Sequence, residues 1–517
     1  MGEMILTAAQ QTLLDPIIWL VVIGSAIYGV FLGAMPGLTA TMGVALFVPL
    51  AFWLEPLPAL AGIVTMVACA IFAGDIPTTL VRIPGTPASA AYVADAYALS
   101  QQGRAASTLG VMLWSSVMGG LFGAVVLMVS GDQLARFASW FSVSEYFWLY
   151  LLGLSCAVVV GGSSVSRSLL GLLIGLMFST VGLSAVHGQA RFTFGQPELF
   201  QGINFIPAMI GLFGLSEVLR GAAVWVGTPS VGTKAGEAAS VAGAPILRPA
   251  IGYFLTRPGA WVRSSLIGTA IGILPGAGAD IAAWVSAAAS QRRSRQPETY
   301  GRGSTECVAD ASAANSASLA GAWIPALVLG IPGDSVTAIA IGVLYMKNLK
   351  PGPEIFSTQG TLVFSLYLIF ILANLVLLPV GLIAIRIGGY VMRVPRNVLL
   401  PIILLLCIVG SYAVSGSLFD IGLMAMFGLI GLACERWKIS AGAMVLGMIL
   451  GGPLEERFVQ TLVGSGGSAL GFVDRPVAAA LALGCGLLWT RAAWSAYARH
   501  RGRRSLAASL GADGSIA

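Results

Sequence analysis

Hydrophobic and polar positions along this chain fall into long blocks, not into the period of a surface helix. Stretches such as Ile17–Met35, Leu109–Ser130, Phe147–Val160, Leu169–Val186, Leu362–Ile385 and Val398–Val409 are apolar on every side, with polar residues gathered between them. Helices of that kind belong in lipid or deep inside a large bundle. At roughly 20 residues per span, the blocks predict about 10 to 12 transmembrane segments, some of them re-entrant or broken, in an all-α polytopic membrane protein.

One block is interrupted where a simple span would carry Leu. Asn315–Ser335 reads NSASLAGAWIPALVLGIPGDS, with Pro325, Pro332, Gly333 and Asp334 inside it. Proline removes a backbone donor and clashes with the carbonyl one turn earlier, so the helix is expected to break near Ile331-Pro332-Gly333. Unpaired backbone groups in lipid cost several kcal/mol each, so such a break needs protein or a water-filled cavity around it. A binding site is the leading explanation.

The stretch has a counterpart. Ile76-Pro77-Thr78-Thr79-Leu80-Val81-Arg82-Ile83-Pro84-Gly85 matches Ile324–Gly333 at both Ile-Pro pairs and at the final Gly. Each copy follows an earlier break, Gly33-Ala34-Met35-Pro36-Gly37 in one half and Gly272-Ile273-Leu274-Pro275-Gly276 in the other. The recurrence predicts two internal repeats, expected in inverted orientation. The boundaries read as membrane repeat 1 over residues 1–220, a polar cytoplasmic linker over 221–262, membrane repeat 2 over 263–491 and a basic, mobile cytoplasmic tail over 492–517. After the second break of the first half, Asp95–Ser107 reads as a polar loop.

Composition agrees with the membrane assignment: the 517 residues are 57% hydrophobic and 10% charged, outside the range of soluble domains. The first 15 residues hold no Lys or Arg and no cleavage pattern, so the first span is expected to stay. Six scattered cysteines without a C-x-x-C pair read as packing residues. The net charge of +6 sits in short loops between apolar blocks, which fits the positive-inside rule and not a nucleic-acid partner. The larger basic set, from Arg104 and Arg167 through Arg220–Arg263 to Arg491–Arg504, marks the expected cytoplasmic side. Arg82 and the run Arg292–Arg302 flank broken segments and take no side.

A broken helix frees N–H groups at the start of one piece and carbonyls at the end of the other, suiting an anion and a cation respectively. Two pairs of breaks predict a site for a carboxylate travelling with Na⁺ or H⁺, with no cofactor beyond that coupling ion and no metal centre. The candidate lining is Pro36, Gly37, Thr39, Thr41, Thr78, Thr79, Pro84, Gly85, Thr86, Pro275, Gly276, Gly278, Asn315, Ser316, Pro332, Gly333 and Ser335. Arg82 stands out, because an arginine beside a break is costly unless it is paired or faces water. Its planar fork suits a substrate carboxylate; a structural pair with Asp75 or Asp95, or snorkelling, is the plainer alternative. Asp75, Asp280, Glu306, Asp310 and Asp334 are candidates for ion coupling, with Glu306 and Asp75 foremost, although each also suits a cap or charge partner. The two histidines, His187 and His500, stand outside any H-E-x-x-H setting, and no G-x-S-x-G or Walker A motif occurs, so the chain does not read as an enzyme. A channel or structural subunit is the other class considered.

The run Glu306-Cys307-Val308-Ala309-Asp310-Ala311-Ser312-Ala313-Ala314-Asn315-Ser316-Ala317, followed by Ile324-Pro325 and Leu329–Gly333, resembles the large membrane subunit of tripartite tricarboxylate transporters, the TctA family. Gly33–Gly43, Ile83-Pro84-Gly85 with Asp95 and Gly103-Arg104-Ala105, Leu349–Pro353, and Glu455–Arg475 carry the resemblance onward, from about residue 15 to 490. It implies the permease of a secondary carboxylate transporter in the cell inner membrane. Its implied partners are a periplasmic solute-binding protein and a small membrane subunit. The chain departs from the family's usual pattern at Gly74–Thr79, Arg82, Thr86 and Ser316, all within the candidate site, which leaves the choice of carboxylate open.

Overall fold

The computed structural model describes residues 2–35, 38–159, 164–184, 188–225, 246–276, 278–391 and 396–513. Helices dominate, as the block pattern predicts. The first half begins with α1 (Gly2–Leu13), α2 (Pro16–Ala34), α3 (Ala40–Trp53), α4 (Pro56–Ala73), α5 (Asp75–Val81), α6 (Val93–Leu99) and α7 (Ala105–Ala138). It continues with α8 (Val143–Val159), α9 (Val165–Ser179), α10 (Phe205–Met209) and α11 (Ser216–Trp225). The second half opens with α12 (Leu247–Thr256), α13 (Pro258–Gly272), α14 (Gly278–Arg293), α15 (Thr305–Leu329), α16 (Ser335–Met346), α17 (Pro353–Thr358) and α18 (Gly360–Val391). It closes with α19 (Arg396–Ser415), α20 (Leu418–Trp437), α21 (Ala441–Gly464) and α22 (Pro476–Asp513). Among the described residues, the only sheet is a short ribbon pairing Gly182–Leu183 with Ala190–Arg191. Eight helical stretches are long and apolar enough to cross a membrane, and five shorter apolar helices accompany them among the described residues.

Two copies of one arrangement are visible in the packing. In the first, α2 lies against α4; in the second, α13 lies against α15. Small residues set both approaches. A Cβ added to Gly29 or Gly33 would overlap the carbonyl oxygens of Met66 and Ala70, and one added to Gly268 or Gly272 would overlap those of Ala314 and Ser318. The four glycines and their four partners match pairwise along the sequence, in the register set by the Pro-Gly breaks. Close helix approach through glycine is the usual substitute for a hydrophobic driving force in lipid.

The copies are exchanged, not side by side. α4 packs on α18 of the other half, and α15 packs on α7, where Gly119 and Gly123 meet the backbone of Ala313 and Ala317. α7 and α18 also touch each other. One continuous hydrophobic core therefore contains residues of both halves, from Ile18 and Met66 to Trp323 and Phe370. All six cysteines are buried and unbridged.

The stretch Asp95–Ser107 differs from its sequence reading. It is helical, running through α6 and a wide turn at 100–104 into α7, with Gly103 at φ 75°. Its one buried acid is answered by the other half: the Asp95 carboxylate accepts from the backbone N–H groups of Gly301, Gly303 and Ser304 at 2.8, 3.0 and 2.8 Å. On the other copy the clasp has opposite charge. Lys347 Nζ donates to the carbonyls of Phe52 and Leu54 at 2.6 and 2.5 Å, and burial holds its ammonium below the usual lysine range.

Candidate functional site

Both later breaks are built the same way. α5 ends at Arg82 (φ 58°), whose N–H, like that of Ile83 at 3.4 Å, reaches the Pro77 carbonyl. α15 ends at Gly330 (φ 68°), whose N–H, like that of Ile331 at 3.2 Å, reaches the Pro325 carbonyl. Pro77 and Pro325 stay helical, and their carbonyls take up the donors released at the break. This is the left-handed helix end that glycine favours. The following glycines fold back on their own helices: a Cβ on Gly85 would overlap Gly74, and one on Gly333 would lie 2.7 Å from Ala322 Cα.

Around the first of these breaks the hydroxyls form a knot. Thr78 Oγ1 donates to Gly74 O at 2.7 Å and meets Ser89 Oγ at 3.0 Å and Gly85 N at 3.2 Å. Thr86 N donates to Ser89 Oγ, while Ser89 N returns a bond to Thr86 Oγ1, both at 3.2 Å. Thr79 turns away, toward Met112 Sδ. Around the second break, Asp334 caps α16 by accepting from Thr337 N at 2.8 Å, and the Thr337 hydroxyl accepts from Asp334 N at 2.9 Å.

The earlier break of the second half joins these two. Gly276 N donates to Gly333 O at 2.8 Å. From the first turn of α14, Asp280 faces the backbone of Ala88 and the carboxyl of Asp334. Three breaks thus meet at Asp280. In the first half Thr39 caps α3 by accepting from Met42 N at 3.2 Å, with Thr41 half-buried one turn in. Pro36 and Gly37 lie outside the described residues.

The predicted residues separate into three places. Thr39, Thr41, Thr78, Pro84, Gly85, Thr86, Pro275, Gly276, Gly278, Asp280, Pro332, Gly333, Asp334 and Ser335 lie at the breaks. Asp75 belongs to a second, buried cluster. Its carboxylate accepts from Tyr92 Oη at 2.5 Å, with Ser312 near both groups and Asn315 near Tyr92. Asn315 Oδ1, Ser312 Oγ and Ser316 Oγ are buried without a hydrogen-bond partner among the described residues. Glu306 and Asp310 form the third place, ion-paired with Arg257 and with Arg263, the latter at 2.5 Å.

Arg82 is exposed and reaches neither Asp75 nor Asp95; its guanidinium lies 5.8 Å from the Tyr97 ring centroid. Sequence reasoning missed Ser89, Tyr92 and Ser312. Ser312 had a signal, since it stands three and four residues before Asn315 and Ser316 on one helical face. Ser89 and Tyr92 had none, because their roles come from the fold-back at Gly85. Among the described residues, no group of three or more His, Cys, Asp or Glu forms a metal-binding cluster.

Comparison with known proteins extends this picture. An uncharacterized 52.8 kDa protein in the TAR-I ttuC' 3' region of Agrobacterium vitis is 30% identical over 478 residues, 92% of this chain and 93% of the relative. An uncharacterized protein in the TAR-II ttuC' 3' region of the same organism is 31% identical over 221 residues, 43% of this chain and 91% of the relative. No solved structure matches the chain. The profile of the tripartite tricarboxylate transporter TctA family matches residues 18–446, which contain all four breaks and both clusters. This multi-pass membrane protein belongs to the tripartite tricarboxylate transporter TctA family.

Proposed function

We propose that the chain is the permease subunit of a binding-protein-dependent secondary transporter that imports a carboxylate across the cell inner membrane, driven by a Na⁺ or H⁺ gradient. A periplasmic solute-binding protein would deliver the substrate, and a small membrane subunit would complete the complex.

One observation carries the reading. The later breaks are alike in backbone, and both pairs of breaks are unlike in charge. Where the first half has Thr41 and Thr86, the matching positions of the second half are Asp280 and Asp334. The first-half breaks offer helix starts, hydroxyls and the exposed Arg82, which suit a carboxylate. The second-half breaks offer two carboxylates near enough to influence each other, Asp280 and Asp334, which suit a cation. An anion and a cation bound side by side at a pair of broken helices is the arrangement a symporter needs, and binding each ion is easier when the other is present.

The test is uptake by proteoliposomes holding this subunit and its small membrane partner. Labelled di- and tricarboxylates would be offered with and without the binding protein, under separately imposed Na⁺ and H⁺ gradients. The expected result is saturable uptake that requires both the binding protein and one of the gradients. Uptake that needs neither, from a complex shown to be assembled, would replace the carrier by a channel.

A further inference from the structure

Away from the breaks, the ends of α12, α13, α14 and α15 border an open-sided cavity of about 360 Å³. Its wall carries four guanidinium groups, from Arg257, Arg263, Arg293 and Arg295, but only two carboxylates, Glu306 and Asp310. Both carboxylates are already engaged, Glu306 by Arg257 and Asp310 by Arg263. Arg293 and Arg295, both exposed at its mouth, have no acid partner among the described residues. Two donors on the wall are also buried without an acceptor there: Arg263 Nε and the Tyr253 hydroxyl.

Unanswered donors and two unneutralised guanidinium groups call for a ligand that brings oxygen atoms and negative charge. A flat carboxylate has two oxygens in one plane. A phosphate sets three or more around one centre and carries up to about two negative charges near neutral pH. It can therefore meet Arg263 Nε, Tyr253 and the two free arginines from different walls.

The surroundings place such a group at the height of lipid headgroups. Phe254 and Trp261 stack at 4.9 Å beside the cavity, with Trp114 and Phe122 edge-on to them at 6.4 and 6.3 Å. Leu255, 76% exposed, and Ile251 extend from the outer side of α12. Aromatic side chains gather at the membrane–water interface, and basic pockets between helices there take anionic headgroups. We propose that this cavity is a binding site for a phosphate-bearing anion, with an anionic phospholipid headgroup and free phosphate as the two sources of that chemistry. Occupancy would tie the C-terminal end of α14 to the start of α15, the helices that carry Asp280 and the Gly330 break. The proposal stands apart from the transported substrate and its coupling ion.

The experiment uses the full-length protein, delipidated in detergent, with thermal unfolding followed during titration with cardiolipin, phosphatidylcholine, inorganic phosphate or citrate. Cardiolipin is expected to raise the midpoint saturably and phosphatidylcholine to leave it in place. In the R293Q/R295Q protein the half-saturating concentration should rise roughly 30-fold, from about fivefold per arginine near a charged headgroup. Arg292→Gln, beside the cavity but not lining it, should raise the half-saturating concentration about fivefold at most, the share of one nearby surface charge. A response to inorganic phosphate equal to that of cardiolipin, with the same arginine dependence, supports the site and names the soluble source. No response to either, or an undiminished response in R293Q/R295Q, overturns the proposal. So does a citrate response as large as that of phosphate with the same arginine dependence, which would make the cavity a vestibule for carboxylates.

Discussion

Arg82 and Gly330 hold the same place in two copies of one helix end, at φ 58° and 68°, each just ahead of an Ile-Pro-Gly turn. Glycine takes that backbone freely, whereas an L side chain gives up about 1 kcal/mol or more. Arginine at residue 82 therefore sits against its local backbone preference, as Lys438 does at the end of α20. Arg82→Gly is expected to raise thermal stability by about 1 kcal/mol while weakening carboxylate uptake at least tenfold, the scale of a lost charge-assisted hydrogen bond. Gly330→Ala should cost about 1 kcal/mol with little effect on affinity. Thermal unfolding and uptake measured on the same preparations check both.

Gly33 and Gly272 test the duplication at its contact points. Alanine at either would drive a Cβ into a carbonyl of the facing helix, and overpacking of this kind costs typically 1–3 kcal/mol. Gly24→Ala, in the same α2 but with nothing within 4 Å, should be neutral or mildly stabilising. Melting temperatures of the three purified variants would separate contact glycines from incidental ones.

The acids predict different consequences. Asp280→Asn and Asp334→Asn remove charge where three breaks meet, and asparagine keeps the capping role at residue 334. Each is expected to raise the half-saturating concentration of the driving cation about tenfold or more, with stability near that of wild type. Glu306→Gln breaks a partly exposed ion pair with Arg257 and should cost at most about 1 kcal/mol of stability with the cation dependence unchanged. Uptake measured against a series of imposed gradients distinguishes the two behaviours.

Asp95 predicts a purely structural effect. Its buried carboxylate answers three backbone donors of the 301–304 segment, and Asp95→Ala leaves the buried Ser304 N–H unpaired at roughly 1–3 kcal/mol and frees the segment around it. The expected outcome is poor accumulation in the membrane and proteolytic cleavage near residue 302, readable on a gel.

The breaks were legible because proline and glycine have few structural uses in lipid, and because Ile-Pro and Pro-Gly recur in order. The helical fold followed from the apolar blocks. What the chain does not display is partnership across its two halves. Asp95 looks like a loop acid until Gly301, Gly303 and Ser304 arrive from the other repeat. Nothing in the sequence around Glu306 points to Arg257 as the group that lies against it. Thr79 looks like a twin of Thr78, yet the roughly 100° step between neighbouring helix positions sends it to Met112. Local sequence fixes backbone breaks; which polar group answers which is decided by contacts hundreds of residues apart.

The exchanged packing has a consequence in time. α7 turns Gly119 and Gly123 toward α15, yet α15 ends only at Leu329. At about 5–20 residues per second, the ribosome needs on the order of tens of seconds to add that partner after α7 emerges. Throughout that interval the small-residue face of α7 and the matching face of α4 are open to lipid or to any other helix nearby. The nascent first half can pair α2 with α4 on its own, but it cannot cover the glycine face of α7 until α15 has been made.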